Sequence, residues 1–120
     1  MYADQFEARL ARVRHRFATT LESKITDVVV SADRMSRSTE SVGQEVSQCY
    51  RNLHGICGIG PTVGFTATGE AARVAEAPLM QAHREGRALT DNEILSLKKA
   101  LQGLRAAAAS ELRLMYQRGG

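Results

Sequence analysis

The spacing of the apolar residues limits what this chain can fold into more than any other feature. From Gln5 to about Asp33 they fall at Phe6, Leu10, Val13, Phe17, Leu21, Ile25 and Val28, in steps of three and four. Such steps return side chains to one helix face, so the stretch reads as one long amphipathic helix. Its other faces carry Glu7, Arg9, Arg12, Glu22 and Lys24. A second helix starts at about Glu40, with Val42, Val46, Cys49, Leu53 and Ile56 on its apolar face. A third, from about Thr66 to Gln81, carries Ala67, Ala71, Val74, Ala75 and Leu79, and Pro78 predicts a kink or an early end. The fourth opens on Thr90-Asp91-Asn92-Glu93, the Ser/Thr-x-x-Glu form of a capping box. It continues through Ile94, Leu97, Leu101, Leu104, Ala108, Leu112 and Met115.

The connections are short. Ser36 to Ser41 (SRSTES) reads as a polar loop with N-cap candidates, and Glu85 to Leu89 (EGRAL) as a turn. Val28-Val29-Val30 is strand-like by composition, but no second alternating run could pair with it. A chain of 120 residues fits a single domain able to bury its own core. Four amphipathic helices with short connections predict an all-α, up-and-down four-helix bundle over residues 1–120. Aromatics are 5% of the chain and Trp is absent. The core is therefore built from Leu, Val, Ile and Ala, with Met as filler and Phe6, Phe17 and Phe65 assigned to it.

Charge and cysteine usage narrow the partners. The net charge of +3 comes from Lys and Arg scattered among acidic residues, without the dense stripe of a nucleic-acid footprint. No apolar run approaches the roughly 18 residues of a membrane span, and the charged start is unlike a signal peptide. Cys49 and Cys57 on one helix would lie about 12 Å apart along its axis, too far for a disulfide. Two free thiols point to a reducing compartment. The expectation is a cytoplasmic protein that binds neither nucleic acid nor membrane.

One stretch resists the helical pattern. In YRNLHGICGIGPTVGF, residues 50–65, Gly55, Gly58, Gly60, Pro61 and Gly64 all follow His54. Interior glycine costs a helix about 1 kcal/mol and interior proline about 3, so helix stability does not set these positions. On a helical wheel His54 falls about 120° from the middle of the apolar stripe, at the edge of the solvent face. Gly43, Ser47, Gly58 and Pro61 share that face. The glycines then clear space around the histidine.

An exposed imidazole in a cleared patch can ligate a metal, act as an acid or base in a cleft, or serve as nucleophile for a large partner. A metal needs several ligands. Here only Cys57 is near in sequence, and His15 and His83 are read as structural or incidental. A cleft needs walls, which glycine lowers. The nucleophile reading fits best. The run Gly58-x-Gly60-x-x-x-Gly64 is no nucleotide loop, since it lacks a preceding strand, a Gly-Lys-Ser/Thr and the G-x-G-x-x-G spacing.

The pattern His54-x-Ile56-x-Gly58, then Gly64-Phe65, Glu70-Ala71-Ala72-Arg73 and Glu76, resembles the histidine-containing phosphotransfer (HPt) domain. The resemblance is concentrated in residues 42–80; the flanking helices match in period and length. It implies a four-helix bundle in which His54 is phosphorylated on a ring nitrogen and Gly58 lets a receiver domain lie over it. Gly43, Ser47, Arg51, Gly55, Cys57 and Gly64 become docking or supporting positions. The implied partners are a response-regulator receiver domain and an upstream hybrid histidine kinase. The receiver would bring the aspartate and Mg²⁺, leaving this chain without a cofactor or metal of its own. Without a glycine-rich ATP lid the chain is not a kinase that phosphorylates itself.

Many HPt members carry Lys or Arg three residues after the histidine, where this chain has Cys57. Arg51, one turn before His54, is the candidate substitute, and Cys57 reads as a small residue at the core edge. The leading expectation is a histidine phosphocarrier in a phosphorelay. The alternatives are a non-phosphorylated interaction module on the same bundle, and a redox or metal sensor built on His54, Cys57 and Cys49.

Overall fold

Apolar steps of three and four become helices wherever the sequence repeats them. The structure, a computed structural model, describes residues 2–37 and 42–118. Helix α1 spans Tyr2–Arg37, α2 Val42–Ile59, α3 Thr66–Glu85 and α4 Asp91–Gln117, and a 3₁₀ turn, Gly60–Val63, joins α2 to α3. Each helix packs on the next and α4 closes on α1, while the diagonal pairs α1/α3 and α2/α4 make no backbone approach. The protein is an all-α, up-and-down four-helix bundle. Its centre is Leu21 and Val28 of α1, Val46, Leu53 and Ile56 of α2, Leu79 of α3, and Leu97 and Leu104 of α4, all fully buried. Burying one such side chain contributes about 1.5–3 kcal/mol.

Helix α1 is longer than its reading at both ends. Ser36, expected in a loop, lies in α1 and its hydroxyl donates to the carbonyls of Ala32 and Asp33. The rest of that expected loop, and the start at Glu40, lie outside the described residues. At the other end, Arg14 Nε donates to the Val63 carbonyl at 2.9 Å, level with the α2–α3 turn. The residues before Arg14 run on past that turn. Phe6 is therefore 66% exposed and Val13 48% exposed, so the assignment of Phe6 to the core is corrected. The apolar stripe continues past the part of α1 that the other described helices cover.

Helix α3 differs in phase. Its buried face is Thr68, Ala72, Ala75, Glu76, Leu79 and Ala82, whereas Ala67 and Val74 are exposed. Two buried polar residues, Thr68 and Glu76, occupy positions that an apolar pattern skips. Nor does Pro78 end the helix. It removes the bond to the carbonyl of Val74, a residue on the exposed face, and α3 runs on to Glu85. Gly86, in the left-handed conformation at φ 63°, stops it, its N–H donating to the carbonyls of Ala82 and His83. The capping box forms as read, with Thr90 and Glu93 each accepting from the other's backbone N–H.

Candidate functional site

Helices α2 and α3 run antiparallel, and their pairing fixes what surrounds His54. Ser47 Oγ and His83 Nδ1 are hydrogen-bonded at 3.0 Å. Seven residues along α2 and seven back along α3, His54 Nδ1 lies 3.1 Å from Glu76 Oε2. Three further, the same register sets Arg73 of α3 beside Cys57 of α2. Beyond them, a Cβ on Gly69 would stand 2.6 Å from the Pro61 ring. One register therefore assembles the site from both helices.

The imidazole of His54 is 64% exposed, while the Glu76 carboxylate beneath it is only 9% exposed. A carboxylate can only accept, so Nδ1 carries the proton and Nε2 of the neutral ring carries the lone pair. Tyr50, one turn earlier, stacks on the ring with centroids 5.4 Å apart and planes 17° from parallel. Tyr50 also stacks on His83 at 4.5 Å. Ser47, His83, Tyr50, His54 and Glu76 thus form one polar ladder along the α2–α3 seam. His83 belongs to this ladder, as a structural member of the seam. A side chain four residues before the histidine and an acid in the inward phase of α3 were the signals available for Tyr50 and Glu76.

The glycines after His54 divide. A Cβ added at Gly55 or Gly58 would meet nothing within 4 Å, so both lie on open surface, Gly58 one turn beyond the histidine. Gly60 is buried, and a Cβ there would come 3.0 Å from the Phe65 carbonyl oxygen and 3.4 Å from the Gly69 backbone. Gly64 sits at φ 92°, a left-handed conformation that closes the 3₁₀ turn. Gly55 and Gly58 therefore border open space beside the histidine, while packing and turn geometry account for Gly60 and Gly64. Gly43 is about 16 Å back along the α2 axis. A Cβ on it would lie 3.9 Å from the Gly86 carbonyl oxygen, at the far end of the seam.

No family model, curated protein or solved structure matches this chain.

The remaining candidates sit apart in character. Arg51 is exposed and its guanidinium approaches Gln48 Oε1 at 3.5 Å, one turn toward the start of α2. Cys57 is half-buried at the core edge, and Cys49 is buried. Burial pushes the Cys49 thiol up to about 11, against a hydrogen bond with Ser31 that lowers it. At neutral pH it is a protonated thiol, a poor nucleophile and a poor metal ligand. Among the described residues no group of three or more His, Cys, Asp and Glu side chains is gathered to hold a metal ion, and no helix is long and apolar enough to cross a membrane.

Proposed function

We propose that the protein is a histidine phosphocarrier of the HPt type, exchanging a phosphoryl group between His54 and receiver-domain aspartates in a cytoplasmic two-component phosphorelay. The observation that carries the reading is the pairing of His54 Nδ1 with the nearly buried Glu76, beside a surface that Gly55 and Gly58 leave open. Attack by the Nε2 lone pair on an aspartyl phosphate forms the N–P bond as the P–O bond breaks, and the aspartate leaves as carboxylate. The ring then carries a positive charge, offset by the Glu76 carboxylate that still accepts from Nδ1–H. In the reverse step a receiver carboxylate attacks phosphorus and the N–P electrons return to Nε2. Neither direction needs a net proton. Transfer of this kind depends mostly on positioning and charge neutralisation. The receiver would contribute Mg²⁺ and the aspartate, and an upstream hybrid histidine kinase would charge the relay.

The test is incubation with a phosphorylated receiver domain. The expected result is an acid-labile, base-stable phosphoryl group on this chain, absent in a folded His54→Gln variant. Uptake by that variant would overturn the assignment of His54. No uptake by the wild type from a panel of phosphorylated receivers would favour the second reading, a bundle that binds partners without being phosphorylated. Cys57, at the position where the HPt family often has a cation, is what speaks for that second reading.

A further inference from the structure

The phosphoryl group proposed for His54 would bring close to two negative charges to a ring whose other nitrogen already faces Glu76. A cation is needed nearby, and the position one turn after the histidine holds Cys57. Two arginines are close in the fold. Arg51 reaches toward Gln48, away from Gly55 and Gly58. Arg73 comes from the other helix. The antiparallel register that sets Glu76 against His54 also sets Arg73, one turn earlier on α3, against Cys57, one turn later on α2. Its side chain is exposed and lies beside Cys57, the chain neighbour of the open Gly58.

We propose that Arg73, reaching across from α3, is the cation that contacts the phosphoryl group on His54, taking the place vacated on α2 by Cys57. The proposal rests on the phosphocarrier reading and names a residue for it. A thiol is a weak acceptor for a guanidinium, whereas a phosphoryl oxygen accepts a charge-assisted and often bidentate bond. A phosphoryl group on His54 therefore offers Arg73 a stronger acceptor than the neighbouring sulfur. The neighbouring Cys57 side chain first, then Glu76 and Glu70 on its own helix, hold the guanidinium above its ordinary value, and an arginine stays charged throughout. The small Cys57 side chain leaves the guanidinium room to swing. A Lys or Arg at 57 would compete with Arg73 for the same space, which gives the cysteine a reason that its place at the core edge does not.

The experiment uses potassium phosphoramidate, which phosphorylates an imidazole directly with ammonia as the leaving group, so no partner protein is required. Phosphorus NMR follows the phosphohistidine signal and its decay after the reagent is removed. The proteins are the wild type, His54→Gln, Arg51→Ala, Arg73→Ala, Arg73→Lys and the double variant Arg73→Ala with Cys57→Lys. Arg73→Ala should lose its phosphoryl group about fivefold faster than the wild type, the size of one partly solvated charge contact. It should also shift the phosphorus resonance, which a merely structural role would not do. Arg73→Lys should retain most of the lifetime, and Cys57→Lys should restore part of it. Arg51→Ala should change it by less than about twofold. An unchanged lifetime and resonance in Arg73→Ala, or a larger effect from Arg51→Ala, would overturn the proposal with the phosphocarrier reading intact. If the wild type gives no phosphohistidine signal that His54→Gln removes, the phosphocarrier reading has itself failed and the proposal with it.

Discussion

Two patches of the α2–α3 seam, less than two helical turns apart, are both rich in glycine and use it in opposite ways. Around His54, Gly55 and Gly58 face open surface, and a methyl group on either would touch nothing. At the corner where α2 turns into α3, Gly60 and Gly69 allow close approach: a Cβ would stand 3.0 Å from the Phe65 carbonyl oxygen at Gly60 and 2.6 Å from the Pro61 ring at Gly69. Glycine at the corner is explained by packing. Glycine beside His54 weakens the helix without any packing return.

The acidic residues divide in the same way. At the corner, Glu111 of α4 accepts from the backbone N–H of Thr68 at 2.7 Å and from its hydroxyl at 2.6 Å, with a longer bond from the Ala67 N–H at 3.4 Å. Phe65 at the N-cap of α3 offers no side-chain bond, so α4 supplies the cap that α3 lacks. Glu76 closes no helix end. It is nearly buried, and its described partner is a largely exposed imidazole. Burying a carboxylate to hold a surface histidine has little value for stability.

The largest effect should come from filling the crowded corner. Gly69→Val would drive a branched side chain into the Pro61 ring, which cannot rotate aside, and overpacking of this kind costs about 1–3 kcal/mol. Gly55→Ala on the open face should instead stabilise by up to about 1 kcal/mol, the ordinary helix preference. Denaturant midpoints of the two variants measure the difference. A Gly69→Val protein as stable as the wild type would erase the distinction between the patches. On the function side, Gly58→Leu should impair transfer from a phosphorylated receiver while leaving the midpoint near the wild-type value.

A smaller contrast is expected between the two acids. Glu111→Ala leaves backbone N–H groups and the buried Thr68 hydroxyl without their partner and should cost about 2 kcal/mol. Glu76→Gln keeps an acceptor for His54 Nδ1–H and removes a buried charge, so stability should stay within about 1 kcal/mol of wild type. Its phosphoryl uptake should fall, because a neutral amide does not offset the charged ring. Equal losses of stability in the two variants would make Glu76 a structural residue like Glu111.

What the sequence revealed follows the same division. The helices, the capping box and the inner face of α4 were legible because apolar period and local capping are written in neighbouring residues. His54 and the open Gly55 and Gly58 were legible because they break that period. Phe6 was misread because nothing in α1 records where its neighbours end. The phase of α3 was misread because Thr68 and Glu76 are buried without being apolar, and their partners, Glu111 and His54, lie on other helices. Arg73 was hidden for the same reason. It stands 16 residues from Cys57 in the chain, and only the antiparallel register brings the two together.

The smallest effect offers a control on the contrast, because Glu93 also holds a helix start and so belongs with Glu111. Hydrogen bonds from Arg87 first, and then from the Thr90 backbone, hold its carboxyl down at about 2, against an ordinary 4.5. Its folded value is depressed, so the stability it contributes is complete above about pH 4.5 and is lost as the pH falls from there toward 2. The Glu93–Arg87 pair is partly solvated, with side chains 22% and 34% exposed, and screening reduces the contribution to about 1 kcal/mol. Glu93→Gln keeps an acceptor for the capping box and removes only the charge. It should therefore be less stable than the wild type at pH 7 and nearly equal to it at pH 2, with a shallower loss between pH 5 and pH 2. Urea titrations across that range measure the slope. If the slope is unchanged in Glu93→Gln but shallower in Glu76→Gln, the acid-sensitive contribution to folding lies under His54 and not at the helix starts, and the division drawn between the two kinds of carboxylate is reversed.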